Sequence, residues 1–213
     1  MTTIPLRDEV ATLASARLGA FESQEIFRTL LLTMSKPGTI GLLPLPVVAR
    51  IDAVVVPLLA LLGHATPFAM VGPEENFLTA IVARVTGGLP VSLDKAAFVA
   101  FTASPTPAQL AELRTGTKER PDTAAQIVVS SDWFSNQNSE QGCSVYKFTG
   151  PGVDGSSYLY FDDDHKALRD HLIHRNTKSV RGFDVWFVQD SGPVAAIART
   201  TQVQVKLAEE LEQ

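Results

Sequence analysis

One cysteine, Cys143, is all the thiol this chain has. A lone cysteine excludes an intrachain disulfide and any Cys-x-x-Cys pair, and it suits a reducing compartment. Positive charge is also in short supply. The 18 Lys and Arg stand against 23 Asp and Glu, for a formal net charge of -5. Phosphate backbones require a basic surface, so a general nucleic-acid binder is excluded. Apolar runs are short. The longest, residues 53–62, contains Pro57 and falls well below the roughly 20 residues that cross a bilayer. The opening MTTIPLRDEVATLASARLGAF never builds the continuous apolar stretch of a secretory leader. A soluble, cytoplasmic protein without membrane contact is expected.

Several signatures of chemistry are absent too. There is no Gly-x-Ser-x-Gly elbow, no Gly-x-x-x-x-Gly-Lys-[Ser/Thr] phosphate loop and no HExxH pair. Gly150-Pro151-Gly152 follows a strand but opens no helix, so it is a turn and not a dinucleotide loop. Cys143 follows a polar stretch, which favours a structural thiol over a nucleophile. His165, His171 and His174 share one predicted helix with Asp162, Asp163, Asp164 and Asp170. Pairing His171 with His174 and a carboxylate gives a metal reading. The favoured reading is a solvated helix face whose aspartates complement the dipole, with no metal.

What the chain does have is enough apolar material for one substantial core. It is 45% hydrophobic over 213 residues, and at that size roughly 70% of the unfolded surface is buried on folding. No linker divides it. Residues 1–20 are expected to be a partly ordered segment, and residues 21–213 one α/β domain.

The organising stretch is FRTLLLTMSKPG, residues 27–38. From Ser23, the positions Ile26, Leu30 and Met34 recur every four residues, with Phe27 and Leu31 beside them, which predicts a helix over 23–35 with one apolar stripe. Pro37 cannot continue it, and Gly38 suits the sharp exit to a strand at 39–43. Residues 51–62 are apolar all round and predict a buried helix capped by Asp52. Pro57 would then fall in its interior, so a kink or a later start is expected. Gly72-Pro73-Glu74-Glu75 predicts a helix start with proline at the first helical position. Further strands are predicted at 68–71, 89–91, 97–101, 124–130 and 144–149, and a short helix at 107–113. Residues 131–142 are expected to form a mobile polar loop. A helix over 163–175 follows, then a hairpin of 183–188 with 194–198, an extended 201–205 and a short C-terminal helix. Together these predict a mixed sheet with helices on both faces.

Arg199-Thr200-Thr201 is the most suggestive polar group. A guanidinium beside two hydroxyls can fork around a phosphate or phosphonate; an internal carboxylate partner is the favoured alternative. Arg28 and Ser35 are the polar residues of the first helix that packing does not explain, and contact across a subunit interface is expected there. Arg114, before Thr115-Gly116-Thr117, is a weaker candidate.

Taken in order, these stretches resemble one family. FRTLLLTMSKPG, GHATPF, LRTGTKERPDTAAQIVV, CSVYKFTGPGV and GFDVWFVQDSGPVAAIARTTQV are similar to motifs of PhnH, the H subunit of the bacterial carbon–phosphorus lyase core complex. The similarity runs from about Phe21 to Val205. Three places depart from the pattern: His64 replaces an acid, Ser179-Val180-Arg181 a Phe-Pro pair, and Ala198 a proline. The resemblance implies a three-layer αβα sandwich, distantly like pyridoxal-phosphate-dependent transferases but without cofactor. It also implies partner subunits, and a homodimer when isolated. The complex it points to moves the ribose triphosphate of ATP onto an alkylphosphonate, displacing adenine, before a radical partner breaks the carbon–phosphorus bond. No chemistry is implied for this subunit itself. Two rival readings are a free-standing metal-dependent hydrolase or phosphotransferase using the 165–174 helix, and a phosphonate- or nucleotide-binding module at Arg199-Thr200-Thr201.

Overall fold

A computed structural model describes residues 16–45, 52–137, 143–162, 165–176 and 182–207. Among them the chain builds two sheets. The larger has seven strands in spatial order β1-β10-β9-β5-β4-β2-β3. These are β1 (Ile40–Leu42), β2 (Pro67–Val71), β3 (Leu89–Pro90), β4 (Phe98–Phe101), β5 (Gln126–Ser130), β9 (Asp184–Val188) and β10 (Pro193–Ile197). The five strands from β9 to β3 run parallel, while β10 is antiparallel to both of its neighbours, β9 and β1. The smaller sheet is antiparallel, in order β11-β7-β8-β6, from β6 (Phe134–Ser135), β7 (Ser144–Thr149), β8 (Ser157–Phe161) and β11 (Gln202–Leu207).

Alternation along the central strands divides the core into two faces. Val128, Ala100, Trp186, Val188, Val194, Phe68 and Met70 point to one side, where helices α1 (Ala20–Ser35), α2 (Val56–Leu61) and α3 (Glu75–Thr86) cover them. Ile127, Val129, Val99, Phe101, Val185 and Phe187 point to the other. That side is closed by α4 (Pro107–Glu112), α5 (Lys166–Asn176) and the inner residues Tyr146, Phe148, Leu159 and Phe161 of the small sheet. The mixed α/β sheet is as the sequence predicts. The far layer is not purely helical, because a four-stranded sheet shares it.

Local chemistry accounts for the boundaries. α1 begins at Ala20, three residues before the predicted start, because Glu22 reaches back to accept the Gly19 N–H at 2.7 Å. Residues 53–55 are a 3-10 turn capped by Asp52, and α2 starts after it with Pro57 in its first turn, so the expected later start is what occurs. α3 starts at Glu75 and not at Pro73: Gly72 has φ 127° and Glu74 φ 59°, which keep residues 72–74 in a turn. The polar 131–142 stretch contains β6, and residues 138–142 lie outside the described residues. β8 has no counterpart in the sequence prediction. The predicted C-terminal helix lies beyond residue 207, outside the described residues, as do Pro46, Asp163, Asp164 and Ser179-Val180-Arg181.

The predicted stripe on α1 is half right. Ile26 and Leu30 are buried, but Thr33 is the third buried residue, while Phe27 and Leu31 are 48% and 56% exposed. The helix lies so close to β1 that a Cβ on Gly41 would stand 2.5 Å from Thr29 Cγ2 and 3.1 Å from Thr33 Cγ2. Only small side chains fit that contact. Thr33 buries its hydroxyl there by donating it back to the Leu30 carbonyl at 3.0 Å.

Candidate functional site

Arg199 follows the last residues of β10 and turns inward. Its Nε and Nη2 donate to Asp184 Oδ2, its backbone N–H donates to Asp184 Oδ1 at 2.8 Å, and its Nη1 donates to the Pro121 carbonyl. Both side chains are largely buried, with 14% and 16% of their surface exposed. The Pro121 carbonyl is presented by a tight loop. The Thr117 N–H donates to the Arg120 carbonyl, and Thr117 Oγ1 accepts the Arg120 N–H. Gly116 is required there, since a Cβ would stand 2.7 Å from the Pro121 oxygen. Thr200 is exposed in the turn after Arg199. Thr201 is fully buried, and its hydroxyl has no hydrogen-bond partner among the described residues. The guanidinium is therefore engaged in an internal clamp, and the neighbouring hydroxyls are not gathered around it.

A second junction ties the end of α1 to the small sheet. Ser157 Oγ donates to the Pro37 carbonyl at 2.7 Å. Gly152 (φ 82°) lies against Ser35 so closely that a Cβ would run into the Ser35 carbonyl, and one on Gly38 (φ 91°) would stand 2.6 Å from Ser157 Cβ. On the sheet side, Trp186 Nε1 donates to the Leu30 carbonyl at 3.3 Å. The helix is fixed at its end and along its inner face.

No described residue covers its outer face. An open groove of about 720 Å³ follows it, lined by Phe21, Glu25, Arg28, Leu31, Leu32 and Ser35, with Gln24 and Thr29 between them. Phe21 is 87% exposed and Leu32 45%. Arg28 and Ser35, the two residues singled out on α1, thus share one groove. The Arg199-Thr200-Thr201 group is elsewhere in the fold.

The family model described as "Bacterial phosphonate metabolism protein (PhnH)" matches residues 17–204. The chain belongs to the PhnH family. No curated protein matches it. The Ser-Lys-Pro-Gly exit, the Gly-Pro-Gly turn, the Thr-Gly-Thr loop, Asp184 and Arg199 make the two junctions just described. In this PhnH chain those motifs hold elements together.

The histidine helix is packed, which corrects the solvated-face reading. His165 is 3% exposed and lies edge-on to Phe187, with centroids 5.7 Å apart; His171 stacks on Phe183 at 5.5 Å. Only His174 is exposed. No group of three His, Cys, Asp or Glu among the described residues is arranged to hold a metal ion.

In open α/β sheets ligands sit outside the carboxyl ends of the strands, where the winding reverses. Here that point lies between β2 and β4, since the chain leaves β2 outward for β3 and returns past it to β4. Thr102 fills the space beside Gly72, its Oγ1 3.3 Å from the Pro73 carbonyl. Glu74 and Glu75 stand over the start of α3 and would repel an anion. Nearby, burial pushes the Asp52 carboxyl above its usual range. The Val54 N–H opposes this, and the charges of Asp190 and Glu74 add to it. No described helix is long and apolar enough to cross a membrane.

Proposed function

We propose that the chain is an accessory subunit of the carbon–phosphorus lyase complex, acting through protein–protein contacts and contributing no reacting group of its own. The PhnH match over residues 17–204 carries this reading. It is supported by the internal use of Arg199 and by the face of α1 that no described residue covers. In this account the complex transfers the ribose triphosphate of ATP to an alkylphosphonate in the cytoplasm and releases adenine. This subunit completes the assembly that does so. The fold would then be a reduced relative of pyridoxal-phosphate-dependent transferases that keeps the layered sheet without a cofactor. Isolated from its partners, the subunit pairs with itself.

Adenine release tests the proposal. The purified chain with ATP and methylphosphonate should release none, and adding it to the remaining core subunits should restore release. Release by the chain alone, abolished in His171→Ala, would favour the rival enzyme.

A further inference from the structure

Of the 14 glycines in the chain, one follows an acid: Asp154-Gly155 is the sole Asp-Gly step, and Asn-Gly does not occur. The step lies in the connection 150–156 between β7 and β8.

An Asp-Gly step has a chemistry of its own. The aspartyl Cγ and the amide nitrogen of the next residue are spaced to close a five-membered ring. With glycine in second place no Cβ obstructs the approach, and the backbone takes the angles that closure needs. The nitrogen attacks Cγ; a C–N bond forms, the bond from Cγ to the carboxyl OH breaks, and that OH leaves as water with the amide proton. Water then opens the succinimide at either carbonyl. Opening at Cγ restores aspartate, while opening at the former peptide carbonyl leaves an isoaspartate, joined to Gly155 through Cγ. One water is lost and one regained, so mass is unchanged and no oxidant or reductant takes part.

The fold leaves this step open. Asp154, Gly155 and Ser156 are all exposed, in a loop of small and polar residues. The Gly155 N–H donates to no acceptor and Asp154 forms no hydrogen bond or ion pair among the described residues. Gly155 has φ 69°, and nothing lies within 4 Å of the place a Cβ would take. Asp190-Ser191 offers the contrast. Both residues are exposed, but Ser191 carries a Cβ, and the Gly192 N–H closes the turn on the Gln189 carbonyl at 2.9 Å.

The contacts that hold the end of α1 bracket the same step. Before it, Gly152 abuts the Ser35 carbonyl; after it, Ser157 Oγ donates to the Pro37 carbonyl at 2.7 Å. Isoaspartate routes the main chain through Cβ and Cγ and so makes it one atom longer between those anchors. We propose that Asp154 is a site of spontaneous isoaspartate formation, and that its conversion slackens the α1 junction.

Ageing the full chain in warm buffer at neutral pH tests both parts. An isoaspartyl-specific methyltransferase with labelled S-adenosylmethionine reads the product, and digestion locates it. Label should accumulate with time in the peptide that carries residues 154–155, about tenfold or more above the peptide that carries Asp190. Asp154→Glu would need a six-membered ring and should fall to background. Asp154→Asn should label sooner, since ammonia leaves the side-chain amide more readily than water leaves the acid. An unlabelled 154–155 peptide, or label there that survives Asp154→Glu, would overturn the site. For the junction, aged wild type should melt below fresh wild type, while Asp154→Glu melts at one temperature before and after ageing. Wild type that accumulates label without any fall in melting temperature would overturn the slackening.

Discussion

Asp184 and Arg199 close the open end of the β9–β10 hairpin, the carboxylate taking the arginine's backbone N–H on one oxygen and its guanidinium on the other. The same guanidinium holds the Pro121 carbonyl, so one side chain joins the hairpin to the loop before β5. Arg199→Ala leaves Asp184 largely buried without its partner, which costs about 3 kcal/mol for a pair this enclosed. Urea unfolding should show that loss. Titration with ATP or methylphosphonate should show no difference between variant and wild type; a loss of affinity without a loss of stability would restore the anion-site reading.

Glycines at the α1 junction are predicted to differ sharply from glycines in open turns. Gly152→Ala must hold a positive φ and also displace the Ser35 carbonyl, so a loss of about 3 kcal/mol or more is expected, at least three times the roughly 1 kcal/mol of left-handed strain alone. Gly155 also has a positive φ, 69°, but nothing lies within 4 Å of its added Cβ. Gly155→Ala should cost only the strain. Equal losses in thermal unfolding would mean that the close approach at Ser35 is not a constraint.

Thr201 gives the opposite sign. Its buried hydroxyl has no partner among the described residues, so Thr201→Val removes a desolvated polar group at almost constant volume and should leave stability unchanged or raise it by up to about 1 kcal/mol. A clear loss on chemical denaturation would contradict the packing described here.

Asp52 makes stability depend on pH. Its carboxyl is raised in the folded chain, first by burial, so the folded state binds the proton more readily than the unfolded state does. That contribution favours folding at pH below the unfolded value near 3.8 and is lost as pH rises through the folded value. Asp52→Asn keeps an oxygen to accept the Val54 N–H and removes the charge. It should be the more stable protein at pH 7, with the difference shrinking as pH falls through that window. A variant less stable at pH 7 would refute the assignment.

Much of this fold is legible in the sequence because local rules and tertiary packing agree. Ile127, Val128 and Val129 are buried on both faces of the large sheet, and the unbroken apolar run marked that strand as central. The two-sheet arrangement is not legible. β10 and β11 are consecutive extended segments, yet they pair with β9 and β7 in different sheets, and the residues in between carry no sign of the switch. β8 is a different case: Leu159 and Phe161 are buried while Tyr158 is 36% exposed, an alternation that was there to be read. His165 looked solvated because three aspartates precede it, but Phe187 claims its ring. On α1, Arg28 and Ser35 stood out because packing gave them no place. Phe21 was passed over because the helix was started at Ser23, two residues after it.

The account's central claim is that this chain works as a docking subunit of the lyase complex. Its most direct test is a bacterium lacking its own PhnH subunit, supplied with this chain carrying an affinity tag and given methylphosphonate as the only phosphorus source. The account predicts growth, with the other core subunits retained on the tagged chain. No growth, together with no lyase subunit retained, would contradict it.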